Sequence, residues 1–487
     1  MNERGIAQLV ARLPGEPELS GNGQRTITDV TADSRTVRAG ALFVAVRGAL
    51  RDGHDFLQQA VARGAAAVAI ENGVVFDAPP NVSVIRVPDT RRALSSFASA
   101  FFGDPSQQVH VVGITGTNGK TTTARMVAAM LGAGGVPCGV IGTIGAEFGG
   151  KKWDLANTTP LAPVLQALLA HMRDAGARAV AMEVSSHALA LDRVADVRFA
   201  VGVLTNVTRD HLDFHGSLEA YAAAKHRLFE TANACVLNAD DSHGASWAPE
   251  CALRVPTRTY ALEREADLRP RGVRLRPNGS AFSLDGVEFE VNLPGRFNVA
   301  NALAAVAAAR LLGVEDAASA KGIKTLTRVP GRMEHVGGGD VDVIVDYAHT
   351  PDALENALAT VRETSAGAIG LVFGCGGERD RGKRPQMGAV AANLADRIYL
   401  TNDNPRGEDP DAILREIAAG IGDENRFKAI PDRRLAIETA VREARRGDVV
   451  LVAGKGHERK QIVGKRVIEF DDVAVARDAL RRRGFSA

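Results

Sequence analysis

The residues with the plainest chemical meaning lie in Val111-Val112-Gly113-Ile114-Thr115-Gly116-Thr117-Asn118-Gly119-Lys120-Thr121-Thr122-Thr123, an apolar run that meets a Gly-rich turn and then an Ala-rich stretch. Such a turn binds phosphate. Gly116 and Gly119 let backbone N–H groups converge on phosphate oxygens, Lys120 brings a point charge to the β and γ phosphates of a nucleotide, and Thr121 offers a hydroxyl to Mg²⁺. The usual pattern has a further glycine five residues before Gly119, where this chain has Ile114, so the motif is a variant. The bland alternative is a Gly-Lys-Thr that merely begins a helix, and the strand-like run ahead of it argues against that.

Two more apolar runs end in polar side chains. Ala181-Met182-Glu183-Val184-Ser185-Ser186-His187 terminates in an acid suited to a metal, and Leu204-Thr205-Asn206-Val207-Thr208-Arg209-Asp210-His211-Leu212-Asp213 brings His211 beside it. His215 reads as an ordinary loop histidine. The segment from Ser217 to Phe229 is a helix with Ser217 as its N-cap. Lys225 falls on its apolar stripe with Leu218, Tyr221, Ala222, Leu228 and Phe229. A lysine there either snorkels to water or becomes neutral and reactive. A neutral amine can add CO₂ to give a carbamate, an anion able to hold magnesium. The spacing leaves both open.

These residues need a scaffold that brings strand ends together. Apolar runs at Val109 to Ile114, Ala179 to Val184, Phe199 to Val203, Ile369 to Phe373 and Val449 to Val452 alternate with helical periodicity, the signature of α/β folding with parallel sheets. Ligands of such sheets sit beyond the carboxyl ends of the strands. A chain of 487 residues is about three domains long. The polar segment Phe102 to Gln108 and the Arg328-Val329-Pro330-Gly331 punctuation divide it into 1–103, 104–329 and 330–487. Arg481-Arg482-Arg483 reads as a solvated helix end.

Composition narrows the class. A net charge of +1 and 5% aromatic residues offer neither the basic field nor the stacking platforms of a nucleic-acid binder. No apolar stretch reaches a membrane span, and Met1 to Pro14 lacks a secretory core, so a soluble cytoplasmic protein is expected, with no membrane insertion. The four cysteines are too scattered for a disulfide framework or a zinc site and read as buried small hydrophobes; Cys375 stands apart because its loop is Gly-rich.

Taken together, Gly116 to Thr122, Glu183 to His187, Asn206 to Asp213 and Tyr221 to Phe229 closely resemble the Mur ligases of peptidoglycan synthesis, over nearly the whole chain. Within that family Asp403-Asn404-Pro405-Arg406 and Gly454-Lys455-Gly456-His457-Glu458 resemble the members that use diaminopimelate. The implied fold is a UDP-binding N-terminal domain, a central P-loop mononucleotide-binding parallel sheet and a Rossmann-like C-terminal domain. The resemblance implies a monomer using ATP and Mg²⁺, with UDP-MurNAc-L-Ala-D-Glu and meso-2,6-diaminopimelate as substrates. It assigns Ser34, Asn157, Thr158, Thr159, Ser185 and Arg193 to the UDP-linked substrate. Lys225 becomes a CO₂-derived carbamate, with Thr121, Glu183 and His211 as its companions around magnesium. Asn298, Asn301, Arg332, Asp346 and His349 complete the ATP side. Arg379, Asp403, Asn404, Pro405, Arg406, Gly454 and Glu458 surround diaminopimelate. The chain departs from the family at Ala49-Leu50-Arg51, where a His-Gln-Ala segment is usual, and at Leu191, where glutamine is expected.

The implied chemistry is transfer of the γ-phosphoryl group of ATP to a carboxylate, then attack by an amine on the acyl phosphate. Lys120, His211 and the carbamate's metal contacts would act on the transferring group, with no protein nucleophile. Diaminopimelate differs from lysine by one carboxylate, and Arg406 offers it a bidentate fork. A folylpolyglutamate synthetase would share the loop without needing a UDP-binding domain. A simple nucleotide switch would hydrolyse its nucleotide without an acceptor, and no Asn-Lys-x-Asp guanine motif is present.

Overall fold

The apolar runs are strands. In the structure, a computed structural model that describes residues 3–48, 51–337 and 339–484, they form His110–Thr115, Ala179–Glu183, Phe199–Leu204, Ile369–Phe373 and Val449–Ala453. Ala179–Glu183, Ile369–Phe373 and Val449–Ala453 are buried at every residue. That is why their sequences do not alternate: a sheet covered by helices on both faces asks for apolar side chains on both. Ala49 and Leu50 lie outside the described residues.

By its contacts the chain falls into two units, neither a single stretch: Met1–Gly113, Val136–Gly202 and Ala224–Ala234 form one, and Ile114–Gly135, Val203–Ala223 and Cys235–Ala487 the other. The first unit holds a five-stranded sheet in the order Glu18–Ser20, Ser83–Val87, Ala67–Glu71, Ala41–Val44, Asp29–Thr31, parallel except for its first strand. Successive side chains serve opposite cores. Leu42, Val44, Ala67, Ala69 and Ile85 pack with Phe97, whereas Phe43, Val68, Ile70 and Val84 pack with Leu57 and Ala60. Phe97 belongs to the helix Thr90–Phe101, whose N-cap Asp89 accepts from the N–H groups of Arg91 and Arg92. In the same unit Cys138–Gly142 pairs parallel with Ala179–Glu183 and antiparallel with Gly145–Phe148, so Glu183 ends its strand beside the turn that follows Gly142.

In the second unit the phosphate-loop helix Lys120–Ala133 packs against Arg296–Leu311 and Asp316–Lys324. The approach is close enough that a Cβ on Gly322 would lie 2.5 Å from the Ala129 carbonyl oxygen. A six-stranded sheet follows, in the order Glu334–Gly337, Asp342–Asp346, Val449–Ala453, Ile369–Phe373, Arg397–Leu400, Phe427–Ala429, parallel after its first strand. Ile369, Leu371, Phe373 and Leu451 fill one face, and Val343, Val345, Val372, Val450 and Val452 the other.

Two local expectations change. The stretch read as a linker at Arg328 to Gly331 is a packed turn: Val329 is buried and bridges to Arg332, and a Cβ on Gly331 would meet the His457 nitrogen at 2.1 Å. Arg483 is not a solvated helix end. Its guanidinium pairs with Asp340 and donates to the carbonyls of Val441 and Ala444, capping another helix. Among the described residues no helix is long and apolar enough to cross a membrane.

Candidate active site

The phosphate loop is held by the loop after Phe199–Leu204. Thr117 N–H donates to the Asn206 carbonyl (2.8 Å), Asn118 N–H to Asn206 Oδ1 (2.9 Å), and the Thr205 hydroxyl to the Asn118 carbonyl (2.6 Å). Gly116 is at φ +146° and a Cβ there would sit 1.8 Å from Thr205 Oγ1; at Gly119, φ +88°, it would meet Asn301 Oδ1 at 2.5 Å. Only glycine fits either place. The Lys120 ammonium folds back to the carbonyls of Gly116 and Thr117, both at 2.8 Å. Thr121 and Thr122 are buried in the first helical turn.

Residues far along the chain converge on this loop. Arg332 donates to Thr121 Oγ1 (3.1 Å) and lies 4.3 Å over the Tyr347 ring, while its other terminal nitrogen is buried without a hydrogen-bond partner among the described residues. Such a nitrogen suits an anion, and together with the glycine cradle it fits a nucleotide triphosphate. Asn301 accepts from Thr123 and donates to Asn298 Oδ1 (3.1 Å), and Asn298 donates to the Pro294 carbonyl, so both asparagines brace the loop from behind. Asp346 ends its strand with Oδ2 accepting from Met333 N–H and Oδ1 from Ala348 N–H. Burial pushes its carboxyl up despite Arg332.

Asp210 gathers basic side chains. His211 Nε2 lies 3.4 Å from it, His349 Nε2 3.6 Å and Lys383 Nζ 3.6 Å. Burial alone would raise its pKa; the His349 hydrogen bond and the Lys383, His349 and His211 charges hold it well below the usual carboxylate range. Next to it Arg209 pairs bidentately with Asp380 (2.8 and 3.1 Å). The sequence named His211 and His349 but gave no role to Arg209, Asp210, Asp380 or Lys383. Only the polar run around His211 pointed toward them.

Three loops of the six-stranded sheet meet in a second cluster of polar side chains. Gly377 N–H donates to the Asn404 carbonyl (2.9 Å), and a Cβ on Gly377 would lie 1.9 Å from the Pro405 oxygen. A Cβ on Gly454 would lie 2.6 Å from Asp403 Oδ2. Asn404 Nδ2 donates to Glu458 Oε2 (2.9 Å), and buried Lys455 reaches both Asn404 Oδ1 (3.1 Å) and Glu458 Oε2 (3.0 Å). Arg406, at φ +52°, donates to the Gly377 carbonyl (2.7 Å) and makes no ion pair among the described residues. Burial and the charge of Arg379 lower its pKa, so it sits where a carboxylate is wanted. Arg379 itself is exposed, donating to the Glu378 carbonyl. Cys375 is an inert neighbour: burial pushes its thiol up to about 12.

In the first unit Glu183 accepts from Thr143 N–H (2.8 Å) and Thr143 Oγ1 (2.9 Å), and a Cβ on Gly142 would meet it at 2.2 Å. The Thr143 hydroxyl is shared with Thr158 (3.1 Å). Thr159 donates to the Glu183 carbonyl and accepts from Ser185 N–H, Ser185 caps the helix Ser186–Ala190, and Arg193 donates to the Thr159 carbonyl (3.0 Å). Asn157 is exposed and Ser34, donating to Gln59 Oε1, is buried. Lys225 lies in the helix Leu218–Thr231, capped by Ser217 as expected, and is 1% exposed, so it does not snorkel to water.

Comparison with known proteins matches these regions to three family models: the Mur ligase family catalytic domain over residues 26–102, the Mur ligase middle domain over 114–309, and the Mur ligase glutamate ligase domain over 331–456. The UDP-N-acetylmuramoyl-L-alanyl-D-glutamate–2,6-diaminopimelate ligase of Geobacillus thermodenitrificans is 44% identical, covering 98% of this chain and 99% of its own. The chain belongs to the Mur ligase family. A solved ligase of the same name is 34% identical, with a TM-score of 0.68 over 99% of both chains. A Mycobacterium tuberculosis folylpolyglutamate synthase, 17% identical with a TM-score of 0.64 over 81% of this chain and 94% of its own, shares the fold.

The three-domain α/β architecture of Mur ligases is therefore that of this chain. Within the second unit of this Mur ligase, the structure brings Gly116 to Thr122 together with Asn301, Arg332 and, through Arg332, Tyr347. It also assembles Asp403 to Arg406, Gly454 and Glu458 in one cluster. In the first unit it gathers Thr158, Thr159, Glu183, Ser185 and Arg193. Leu191 ends the short helix Ser186–Ala190 as its C-cap.

Proposed function

We propose that this Mur ligase joins meso-2,6-diaminopimelate to the D-glutamate of UDP-N-acetylmuramoyl-L-alanyl-D-glutamate, driven by ATP, in peptidoglycan precursor synthesis. The names borne by its relatives support the reaction. Arg406 carries the choice of amino acid: it is partly buried and, among the described residues, hydrogen-bonded only to carbonyls and without a carboxylate of its own. Lysine would leave it unpaired, whereas the second carboxylate of diaminopimelate would meet it bidentately.

ATP binds with its phosphates over Gly116 to Lys120, and Arg332 and Lys120 neutralise charge on the γ-phosphoryl as it passes to the side-chain carboxylate of the D-glutamate residue. The acyl phosphate provides a leaving group that oxide cannot. The amine of diaminopimelate attacks its carbon, phosphate departs, and the amine proton is lost. Glu458, with Asp403 beside it, accepts from an ammonium end of the amino acid, and Arg406 takes its distal carboxylate.

Magnesium, when bound, supplies Lewis-acid stabilisation of the phosphoryl oxygens. The resemblance assigns Thr121, Glu183, His211 and a carbamylated Lys225 to that ion; the Thr121 hydroxyl and the Glu183 carboxylate are each hard oxygen donors of the kind magnesium takes. Lys225 is 1% exposed, and a neutral amine there would take up CO₂ as a carbamate with loss of a proton. Lys225→Ala activity is expected to return in part with a short carboxylic acid; no rescue, with an unmodified lysine in the electron density of the parent, removes the carbamate.

Domain boundaries near residues 103 and 329 are proposed, supported by the matched segments at 26–102, 114–309 and 331–456. ATP and a UDP-linked acceptor point to the cytoplasm. One chain carries every residue named, so a monomer suffices.

The test is ADP release by purified protein given UDP-MurNAc-L-Ala-D-Glu with diaminopimelate or lysine. Diaminopimelate is expected to be preferred by about 10⁴-fold, with carboxylate-derived ¹⁸O appearing in phosphate. Equal rates for the two amino acids sink the specificity, and absence of the label sinks the ligase.

A further inference from the structure

Arg433 opens the helix Arg433–Glu443 and Asp472 opens Asp472–Arg482, and their side chains form an ion pair in which both are completely buried. Nε donates to Asp472 Oδ1 at 2.8 Å and a terminal nitrogen to Oδ2 at 2.7 Å. The same terminal nitrogen donates to the Ala453 carbonyl at 2.9 Å, and the other reaches the Asn402 carbonyl at 3.4 Å. Ala453 is the last residue before Gly454, and Asn402 the last before Asp403. One guanidinium thus spans the roots of two of the three loops that line the amino-acid pocket. Gln461 reinforces the second root, donating to the Asn402 and Asp403 carbonyls at 3.3 and 2.8 Å.

Stability alone gives a poor reason for this pair. The two helices already pack through Ala436, Ile437, Ala440, Val475, Ala476 and Ala479. Replacing a buried ion pair by apolar residues of similar volume is commonly neutral or stabilising, because desolvation offsets the attraction. Burial works against the Arg433 charge, yet Asp472, and beyond it Asp403 and Glu458, hold it above its ordinary value. The charge is kept where the pocket's own acids lie.

We propose that Arg433 is a positioning residue of the amino-acid pocket: by tying the Ala453 carbonyl to the Asn402 carbonyl it fixes the spacing between the loop bearing Arg406 and the loop bearing Glu458, and with it the discrimination of diaminopimelate from lysine. This rests on the amino-acid choice argued above. A diamino diacid is gripped at separate points by the two loops, so their separation acts as a ruler, and Arg433 sets it from below without touching the ligand.

The test compares the parent enzyme with the double variant Arg433→Met/Asp472→Leu, which keeps volume and removes both charges. Expected are a thermal midpoint near the parent's, a KM for diaminopimelate raised about ten- to a hundredfold, a KM for ATP within about twofold, and a diaminopimelate-to-lysine ratio reduced about tenfold or more. A folded double variant with the parent's KM and selectivity overturns the proposal. Should the double variant not fold, Arg433→Lys decides: it keeps a cation beside Asp472 but cannot span both carbonyls, so the same KM split is expected and an unchanged KM overturns the idea. A parent that ligates a different amino acid would overturn only the functional reading; the KM split measured with that amino acid would still judge Arg433.

Discussion

The proposed nucleotide loop and the proposed amino-acid pocket differ in how they are built for recognition. Gly116 to Thr121 is one contiguous stretch of backbone, held by hydrogen bonds to Thr205 and Asn206 and by neighbours that leave no room for a Cβ. The pocket is made from three loops, at 374–379, 402–406 and 454–458, whose side chains are aimed by other buried side chains. Triphosphate is common to many enzymes and backbone recognises it well; a particular amino acid needs side chains at set distances, which one turn cannot supply.

That contrast is broken most severely at Gly116. Gly116→Ala forces a side chain into a left-handed position with Thr205 Oγ1 at 1.8 Å, so the loop must move. We expect kcat/KM for ATP to fall by about 10³-fold or more, read in the ADP-release assay, with diaminopimelate binding little changed by calorimetry. A variant retaining parental ATP kinetics would show that the cradle is not shaped for phosphate.

Arg406→Ala attacks the other side. Losing the fork should raise the KM for diaminopimelate about 10²-fold or more and leave the KM for ATP within about twofold. Lysine, which has nothing to place there, should lose little. If both amino acids suffer equally, Arg406 holds the Gly377 loop rather than the ligand.

The same contrast explains what sequence made legible. The phosphate loop, the strand ends at Glu183 and Thr205, the Ser217 cap and the parallel sheets are local patterns, and each lies within two residues of its expected place. Arg433 is different. It sits beside Arg434, and nothing in Asp432-Arg433-Arg434-Leu435 tells the buried one from the exposed one. Arg381 and Arg384 repeat the lesson: both grip Glu416, but only Arg384 is fully buried, where it also holds Glu408. Asp210 stood in a motif already singled out, yet its meaning came from Lys383 and His349, over a hundred residues away in sequence. Which member of a charged run turns inward is decided by strands that close later in the chain.

The smallest expected effect tests whether the two regions are separable from the frame that carries them. His335 pairs through Nδ1 with Asp342, at the start of the strand whose other end is Asp346. The hydrogen bond to Asp342 raises the His335 pKa above 6.5 despite partial burial. A group whose folded pKa is raised stabilises most when protonated. The contribution is therefore complete below about pH 6.5 and fades as pH climbs through the raised folded value. The pair is partly exposed, so about 0.5 kcal/mol is expected. His335→Asn should lower the urea midpoint slightly at pH 5.5 and not at pH 9 (about one pH unit or more outside the window on each side), with both KM values unchanged. Ligands of a parallel sheet meet the carboxyl ends of its strands, and His335 acts at the opposite end; a shift in either KM would mean that strain at Asp342 travels the length of the strand to Asp346, and that the sheet is a participant in binding rather than its support.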